Sequence, residues 1–247
     1  MCDPDGPDDP DGPDDPDGPD DPDGADTPDA GPDGNGTDGE SDTDAVAPPP
    51  VPGDALAGWD RTEAPVERLY GVEGADVRGH THVYEDRDLR AAVREVTGGA
   101  LDQSWCFFFA TRLAFRPPLA PGVQPTMLLP IVRSEAVTSF VEDLRGRGVV
   151  DVERGRRERT RTESGERVRL RQVTGEVPID AAADADGSDA VPVEGWVGVW
   201  HDGDILVAGG AYPRTSLARA LDVTDDRLDA EPSAYREELL ALLAGVG

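Results

Sequence analysis

The alternation of apolar and polar positions is clearest in residues 105–115, WCFFFATRLAF. Its odd positions carry mostly aromatic and aliphatic side chains, and most of its even positions also carry small or aromatic apolar ones. A strand that is apolar on both faces must be covered on both faces, so it belongs in the interior of a sheet. We therefore expect a central strand here, with the rest of the fold packed around it.

A strand and a helix are predicted before this segment. Residues 77–84 alternate as a strand, and Asp86 or Asp88 follows in position to cap a helix. The apolar residues of that helix recur at the i, i+3, i+4 and i+7 positions of one helical face. They are Leu89, Ala92, Val93 and Val96.

The segment after the central strand is rich in proline. Residues 127–132 (MLLPIV) are predicted to be extended, with Pro130 interrupting them. Ser134 is predicted to cap a second helix that ends at Gly146 or Gly148.

Antiparallel strands dominate the remaining sequence. Strands are predicted on both sides of a turn at 163–166, and a hairpin is predicted to reverse at Asp202–Gly203–Asp204. A last helix is predicted over 233–243. Strands in runs rather than in repeated βαβ units predict an α+β fold with one mostly antiparallel sheet and helices packed on it.

Residues 1–52 have a composition that cannot form a core. The six-residue repeat DPDGPD opens this segment, and 17 Asp and one Glu occur before residue 51. Proline at this density blocks helices and strands, and almost nothing apolar is available to bury. We predict a disordered acidic tail or tether over 1–52 and a single globular domain over 53–247.

The charge of the chain restricts the solvent conditions and the classes of partner that we expect for it. The net charge is −29, and all 23 basic residues are Arg. A strongly acidic surface stays soluble in concentrated salt, where the Debye length falls to about 3 Å. The charge argues against nucleic acid as a partner, because phosphate backbones require a basic footprint. The sequence contains no run of about 20 apolar residues, so no membrane-spanning helix is predicted.

Cys2 and Cys106 are too few for a disulfide framework. Cys106 lies in the central strand, where we expect it to act as a small buried hydrophobe. Cys2 followed by an acidic spacer resembles the mature form of a secreted lipoprotein, whose N-terminal Cys carries lipid. Cys2 is then a candidate lipid attachment site. The alternative is a Cys2 without a role, since no apolar signal precedes it.

His80 and His82 project from one face of the predicted strand. Two imidazoles can begin a metal site, but three or four ligands are needed, so two solvated histidines are the expected outcome. The chain contains no G-x-S-x-G, Walker or H-E-x-x-H motif. We therefore predict no catalytic site and no cofactor, and hence a protein that is not an enzyme.

Residues 154–171 contain eight arginines, which is unusual in so acidic a chain. One interpretation is a hairpin face whose arginines pair across strands with Glu153, Glu158, Glu163 and Glu166. The other is an anion-binding site for a polyanionic partner, lipid headgroups or the protein's own tail. The candidate anion-binding residues are Arg157, Arg159, Arg161, Arg167, Arg169 and Arg171.

Three segments carry a resemblance to a known family: 82–93 (HVYEDRDLRAAV), 107–117 (FFFATRLAFRP) and 140–149 (FVEDLRGRGV). They resemble a haloarchaeal family of unknown function with lipoprotein-like, membrane-tethered members. The resemblance covers roughly residues 60–245 and implies no activity and no site residues. At the level of the fold, the domain is similar to the small PsbP/Mog1-type sandwich.

Two functions remain open from the sequence. The first is a non-enzymatic domain at the cell surface of a halophilic archaeon, held to the membrane by a lipid on Cys2. The second is a soluble cytoplasmic binding module whose Arg-rich hairpin docks an acidic partner or its own tail.

Overall fold

The computed structural model describes residues 46–72, 75–119, 121–179 and 190–247. The eight strands are β1 Trp59–Glu63, β2 Val66–Val72, β3 Ala75–Asp86, β4 Phe107–Arg116, β5 Val150–Arg161, β6 Arg167–Pro178, β7 Ala190–Asp202 and β8 Asp204–Pro213. The helices are α1 Arg87–Val96, α2 Pro125–Gly146, α3 Leu217–Ala220 and α4 Pro232–Ala244, with a 3₁₀ turn at Gly53–Leu56.

All eight strands form one sheet in the order β1-β3-β4-β8-β7-β6-β5, with β2 also paired to β3. Every strand pair in it is antiparallel. The α+β prediction is therefore confirmed. The predicted central strand is β4, which lies inside the sheet between β3 and β8.

Each face of the sheet has its own apolar core. On one face, which we call the α2 face, Phe107 of β4 packs with Phe140 of α2. On the opposite face, the α4 face, Phe108 packs in a core with Trp196 and with Leu239 of α4. The alternation predicted for 105–115 thus holds within β4. Trp105, which precedes the strand, joins Cys106 and Phe108 on the α4 face instead.

The close packing of helices on both faces depends on two glycines. A Cβ on Gly195 of β7 would meet the Phe140 ring of α2 at 2.7 Å. A Cβ on Gly210 of β8 would overlap the Phe107 carbonyl oxygen and lie 2.7 Å from Leu239. Small residues at these positions let the strands and both helices approach closely.

The start of α1 is as predicted. Asp86 is the N-cap, and its Oδ1 accepts a hydrogen bond of 3.0 Å from the Leu89 amide. The apolar face carries Leu89, Ala92 and Val93 into the core. The hydrogen bond from the Leu89 amide to Asp86 satisfies one of the amides that the first helical turn leaves without a partner.

The prediction for 127–132 is wrong. These residues belong to α2, which begins at Pro125 and continues through Pro130 to Gly146. Pro125 occupies the first helical turn, where its missing amide costs nothing. Pro130 removes one backbone hydrogen bond, but burial of Val132 and Phe140 against the sheet holds the helix together.

The ordered contacts begin before the predicted domain boundary. Val46 is 5 % exposed, and its carbonyl oxygen accepts a hydrogen bond of 2.8 Å from Nδ1 of His80. Residues 46–52, which the sequence assigned to the tail, therefore include a segment that packs on the domain. The predicted disordered tail over residues 1–45 lies outside the described residues, as does the acidic loop 180–189.

No helix within the described ranges is long and apolar enough to cross a membrane.

Candidate functional site

The β5–β6 hairpin is a well-defined antiparallel pair closed by a short turn. The Thr162 amide donates to the Glu166 carbonyl at 3.0 Å, and Gly165 adopts a φ of 97°. The turn is anchored on α4, because the Glu163 amide donates to the Ala244 carbonyl at 2.8 Å. The hairpin end is therefore fixed to the body of the domain.

Side-chain alternation sends the β6 arginines to the α2 face. Val168 and Leu170 are buried in the core of the α4 face, so Arg167, Arg169 and Arg171 project to the opposite side. On β5 the direct partners of these residues are also arginines. The pairs are Arg161 with Arg167, Arg159 with Arg169, and Arg157 with Arg171. The register therefore collects all six predicted anion-binding residues on one surface.

The three Arg–Arg pairs occupy non-hydrogen-bonded positions, where the Cα atoms of the two strands lie closer together. The hydrogen bond between Thr162 and Glu166 defines one hydrogen-bonded position, so the next residues along the strands are non-hydrogen-bonded. Alternation places all three Arg pairs in this second class, where Cα atoms lie about 4.5 Å apart. Like charges directly opposite each other destabilise a sheet.

The predicted pairing of these arginines with cross-strand glutamates is wrong. Glu158 instead accepts two hydrogen bonds, of 2.7 and 2.8 Å, from Arg236 of α4, and Arg156 lies 3.7 Å away. Glu153 lies opposite Thr174. The alternation that gathers the six predicted arginines on the α2 face sends Glu158 to the α4 face, away from all of them.

Two further arginines border the same surface. Arg154 of β5 donates to Thr138 Oγ1 of α2 at 3.1 Å. Arg133 of α2 reaches the Val199 carbonyl of β7 with its Nε at 3.4 Å. We call this surface the arginine face. It consists of Arg133, Arg154, Arg157, Arg159, Arg161, Arg167, Arg169 and Arg171.

Arg133 was not predicted to belong to the site, because the second helix was expected to begin at Ser134 and residues 127–132 were expected to be extended. Continuing the helical pattern from Val137 and Phe140 back past Ser134 would have placed Arg133 on α2. The side chain would then have been expected near the sheet. Arg154 was counted among the eight arginines but was left out of the candidate site.

Two neighbouring depressions run along the arginine face, with Arg133 and Arg169 in both linings. The first has a volume of about 650 Å³ and a lining that is mostly Arg side chains. The second has a volume of about 490 Å³ and adds apolar walls from Val137, Val197 and Val199. Each depression thus presents several guanidinium groups to the same space.

The arginine face lacks neutralising carboxylates within the described part of the chain. None of its eight guanidinium groups has a carboxylate oxygen within 4.0 Å there. Three of them bond to backbone carbonyls instead: Arg133 to Val199, Arg161 to Gly165 and Arg171 to Gly155. Burial, followed by the charge of Arg169, lowers the pKa of the Arg133 guanidinium. The charges therefore repel each other across the face.

On the α4 face, the buried charge of Glu194 is compensated. Glu194 is buried, and its carboxylate accepts hydrogen bonds from Tyr212 at 2.7 Å, Trp196 at 2.8 Å and Gln172 at 2.8 Å. Burial raises the pKa of Glu194, but these hydrogen bonds outweigh burial and hold its pKa below the usual value. With Arg214 at 3.6 Å, this carboxylate is satisfied and belongs to the structure of the core.

The predicted pair His80 and His82 lies close together on β3, with ring centroids 5.0 Å apart. The expectation that both are solvated is wrong for His82, which is 7 % exposed and contacts the Tyr84 hydroxyl at 3.2 Å. Burial, with smaller effects of Arg61 and His80, lowers the pKa of His82. Among the described residues, no group of three or more His, Cys, Asp or Glu side chains could hold a metal ion.

Cys106 is a buried hydrophobe, as predicted. It is 2 % exposed, and burial raises the pKa of its thiol well above the ordinary value. A buried thiol of this kind is unreactive. The other predicted cysteine site, Cys2, lies outside the described residues.

The chain belongs to the family described as a domain of unknown function, DUF6517, whose model matches residues 48–247. This membership agrees with the expectation of a family of unknown function, while the haloarchaeal origin and the lipoprotein-like character of that family stay predictions. Searches of curated proteins and of solved structures found no match. The similarity to PsbP/Mog1-type sandwiches stays a prediction.

Proposed function

We propose that this DUF6517 domain is a non-enzymatic binding module and that its arginine face binds an anionic partner. The observation that carries the proposal is the register of β5 and β6, which places Arg opposite Arg at three successive pairs. A purely structural hairpin gains nothing from this arrangement, because cross-strand pairs of opposite charge are available to it and are more stable.

The chemistry of arginine supports an anionic partner. Guanidinium groups present planar donors that match carboxylate and phosphate oxygens in bidentate geometry. Burial and, after it, the charge of Arg169 lower the pKa of Arg133, and an anion seated between Arg133 and Arg169 would relieve the second of these effects. The energy spent in gathering like charges is then recovered on binding.

The rest of the molecule restricts the partner. The net charge of the chain is −29, so a long polyanion such as a nucleic acid is repelled by most of the surface. A ligand small or narrow enough to contact the arginine face alone avoids that repulsion. Acidic peptide segments and compact phosphorylated molecules meet this condition.

The test is the affinity for a fluorescent polyglutamate peptide, measured by anisotropy at several KCl concentrations. A triple variant replaces Arg157, Arg159 and Arg169 of the arginine face with Ser. A matched control replaces Arg94, Arg145 and Arg219, which are exposed elsewhere, with Ser. Both variants lose the same charge.

We expect the arginine-face variant to bind about tenfold more weakly or worse, corresponding to about 1.4 kcal/mol, and the control to bind nearly as wild type. Equal losses in the two variants would show a general charge effect and contradict the proposal. Absence of binding to wild-type protein at every salt concentration would also contradict it.

For its location, we propose a halophilic archaeal protein held at the cell surface by a lipid on Cys2, with the acidic segment as a spacer. Cys2, which is followed by 17 Asp before residue 51, supports this proposal. The alternative is a soluble cytoplasmic module, in which the arginine face docks an acidic partner or the protein's own tail.

The intact mass of the native protein, with its partition between membrane and soluble fractions, distinguishes these locations. A lipid adduct in the membrane fraction that is lost in Cys2→Ser supports the tethered form. An unmodified chain in the soluble fraction contradicts it and leaves the cytoplasmic alternative.

A further inference from the structure

We propose that the anionic partner is an acidic peptide segment in extended conformation, which adds to the sheet as a new strand along the free edge of β5. This inference rests on the proposed function of the arginine face and specifies the class of partner. It follows from the position of β5, the direction of its backbone groups and the spacing of its arginines.

β5 is the last strand of the sheet. It pairs with β6 on one side, and on its other side no strand of residues 46–72, 75–119, 121–179 or 190–247 pairs with it. The strand is 12 residues long, and its register is uninterrupted from Arg157 to Arg161. A long edge strand of this kind is a template for strand addition.

The backbone of the three β5 arginines faces this free edge. In an antiparallel pair, residues at non-hydrogen-bonded positions point their N–H and C=O groups away from the partner strand. Arg157, Arg159 and Arg161 occupy these positions opposite β6. Their amides and carbonyls are therefore directed at the place where an added strand would lie.

The side chains of the same residues select the charge of the added strand. Residues two apart on a strand lie on one face and are separated by about 6.7 Å. A peptide with Glu or Asp at alternate positions repeats at this distance, so its carboxylates would lie beside Arg157, Arg159 and Arg161 on the arginine face. Directly opposite charges of this kind stabilise strand pairing.

The same features disfavour other occupants. A second copy of this hairpin would bring arginine against arginine at the edge, which prevents edge-to-edge association. The DPDGPD repeats of residues 3–20 are poor candidates for the added strand, because Pro lacks the amide that a strand must donate. Polyphosphate matches the charge but has no backbone amides to pair with the edge.

The experiment compares three peptides and one inorganic ligand on the wild-type protein. The first is a nonapeptide with Glu at alternate positions and Thr between them, and the second has the same sequence with N-methylated Glu amides. A third peptide carries the N-methyl groups on the Thr amides, so that one of the two methylated peptides always loses its edge-facing donors. Inorganic tripolyphosphate serves as a ligand for the arginines alone.

We expect one methylated peptide to bind about tenfold more weakly than the unmodified peptide, through loss of hydrogen bonds to the edge. The amides of Arg157, Arg159 and Arg161 should gain protection from hydrogen exchange only with a peptide that pairs. Equal affinity of all three peptides would overturn strand addition and leave the proposed anion binding intact. Binding of neither the peptides nor tripolyphosphate would overturn both.

Discussion

Reversing the charge of one arginine on each side of β5 distinguishes a binding surface from a structural one. Arg159 lies on the arginine face, directly opposite Arg169. Arg156 lies on the other side of the strand, where its guanidinium is 5.2 Å from the Trp196 ring centroid and 3.7 Å from Glu158. Arg159→Glu and Arg156→Glu change the net charge of the chain equally.

The two substitutions are expected to change the free energy of unfolding in opposite directions. Two unit charges about 6 Å apart in water interact with about 0.7 kcal/mol. Arg159→Glu replaces that repulsion with attraction to Arg169. We therefore expect the free energy of unfolding to rise by about 1 kcal/mol after screening at low salt. Arg156→Glu loses a cation–π contact and places a carboxylate near Glu158. We therefore expect the free energy of unfolding to fall by about 1 kcal/mol.

Urea unfolding followed by circular dichroism measures both free energies, at about 0.1 M and about 1 M KCl. The difference between the variants should be about 2 kcal/mol at the lower salt concentration and should shrink as the Debye length falls to about 3 Å. Arg159→Glu should also weaken binding of the polyglutamate probe, so that stability and binding move in opposite directions. A destabilised Arg159→Glu protein would refute the reasoning, because it would show that Arg159 supports the fold.

The core and the solvent provide three further predictions. Glu194→Gln should lower the free energy of unfolding at neutral pH by about 1–3 kcal/mol. Because the folded state lowers the Glu194 pKa, its contribution is present above the ordinary carboxyl pKa and is lost as pH falls below it, so wild type and variant should converge in acid urea titrations. Gly210→Ala should cost about 3 kcal/mol or more, or prevent folding, because its methyl group would overlap the Phe107 carbonyl; a melting temperature near that of wild type would contradict this packing. The melting temperature of the wild-type protein should rise with KCl, since salt screens repulsion among its 52 carboxylates, and a fall would contradict salt adaptation.

Local patterns predicted much of this fold because their physical causes are local. The alternation of 105–115 placed β4 inside the sheet, and the Asp86 cap with its helical apolar face predicted α1. The turn at Asp202–Gly203–Asp204 predicted the β7–β8 hairpin, where Gly203 adopts a φ of 70°. In each case the residues that decide the structure are neighbours in the sequence.

The failures arose where distant packing decides the structure. Pro130 indicated a broken extended segment, yet burial of the α2 stripe on the sheet maintains the helix through it. The acidic and basic residues of 153–171 suggested cross-strand ion pairs, because the register of a hairpin is not visible in composition. Only the register and the position of α2 bring Arg133 to the six predicted arginines.

The most direct test of the arginine face is a nuclear magnetic resonance titration that observes the Nε–H groups of all 23 arginines while tripolyphosphate is added. Tripolyphosphate binds guanidinium groups without requiring strand addition or a lipid anchor. We expect that the Arg133, Arg159 and Arg169 signals shift first and saturate together, while those of Arg94 and Arg219 stay in place. Shifts of similar size in all exposed arginines, or no shifts at all, would contradict it.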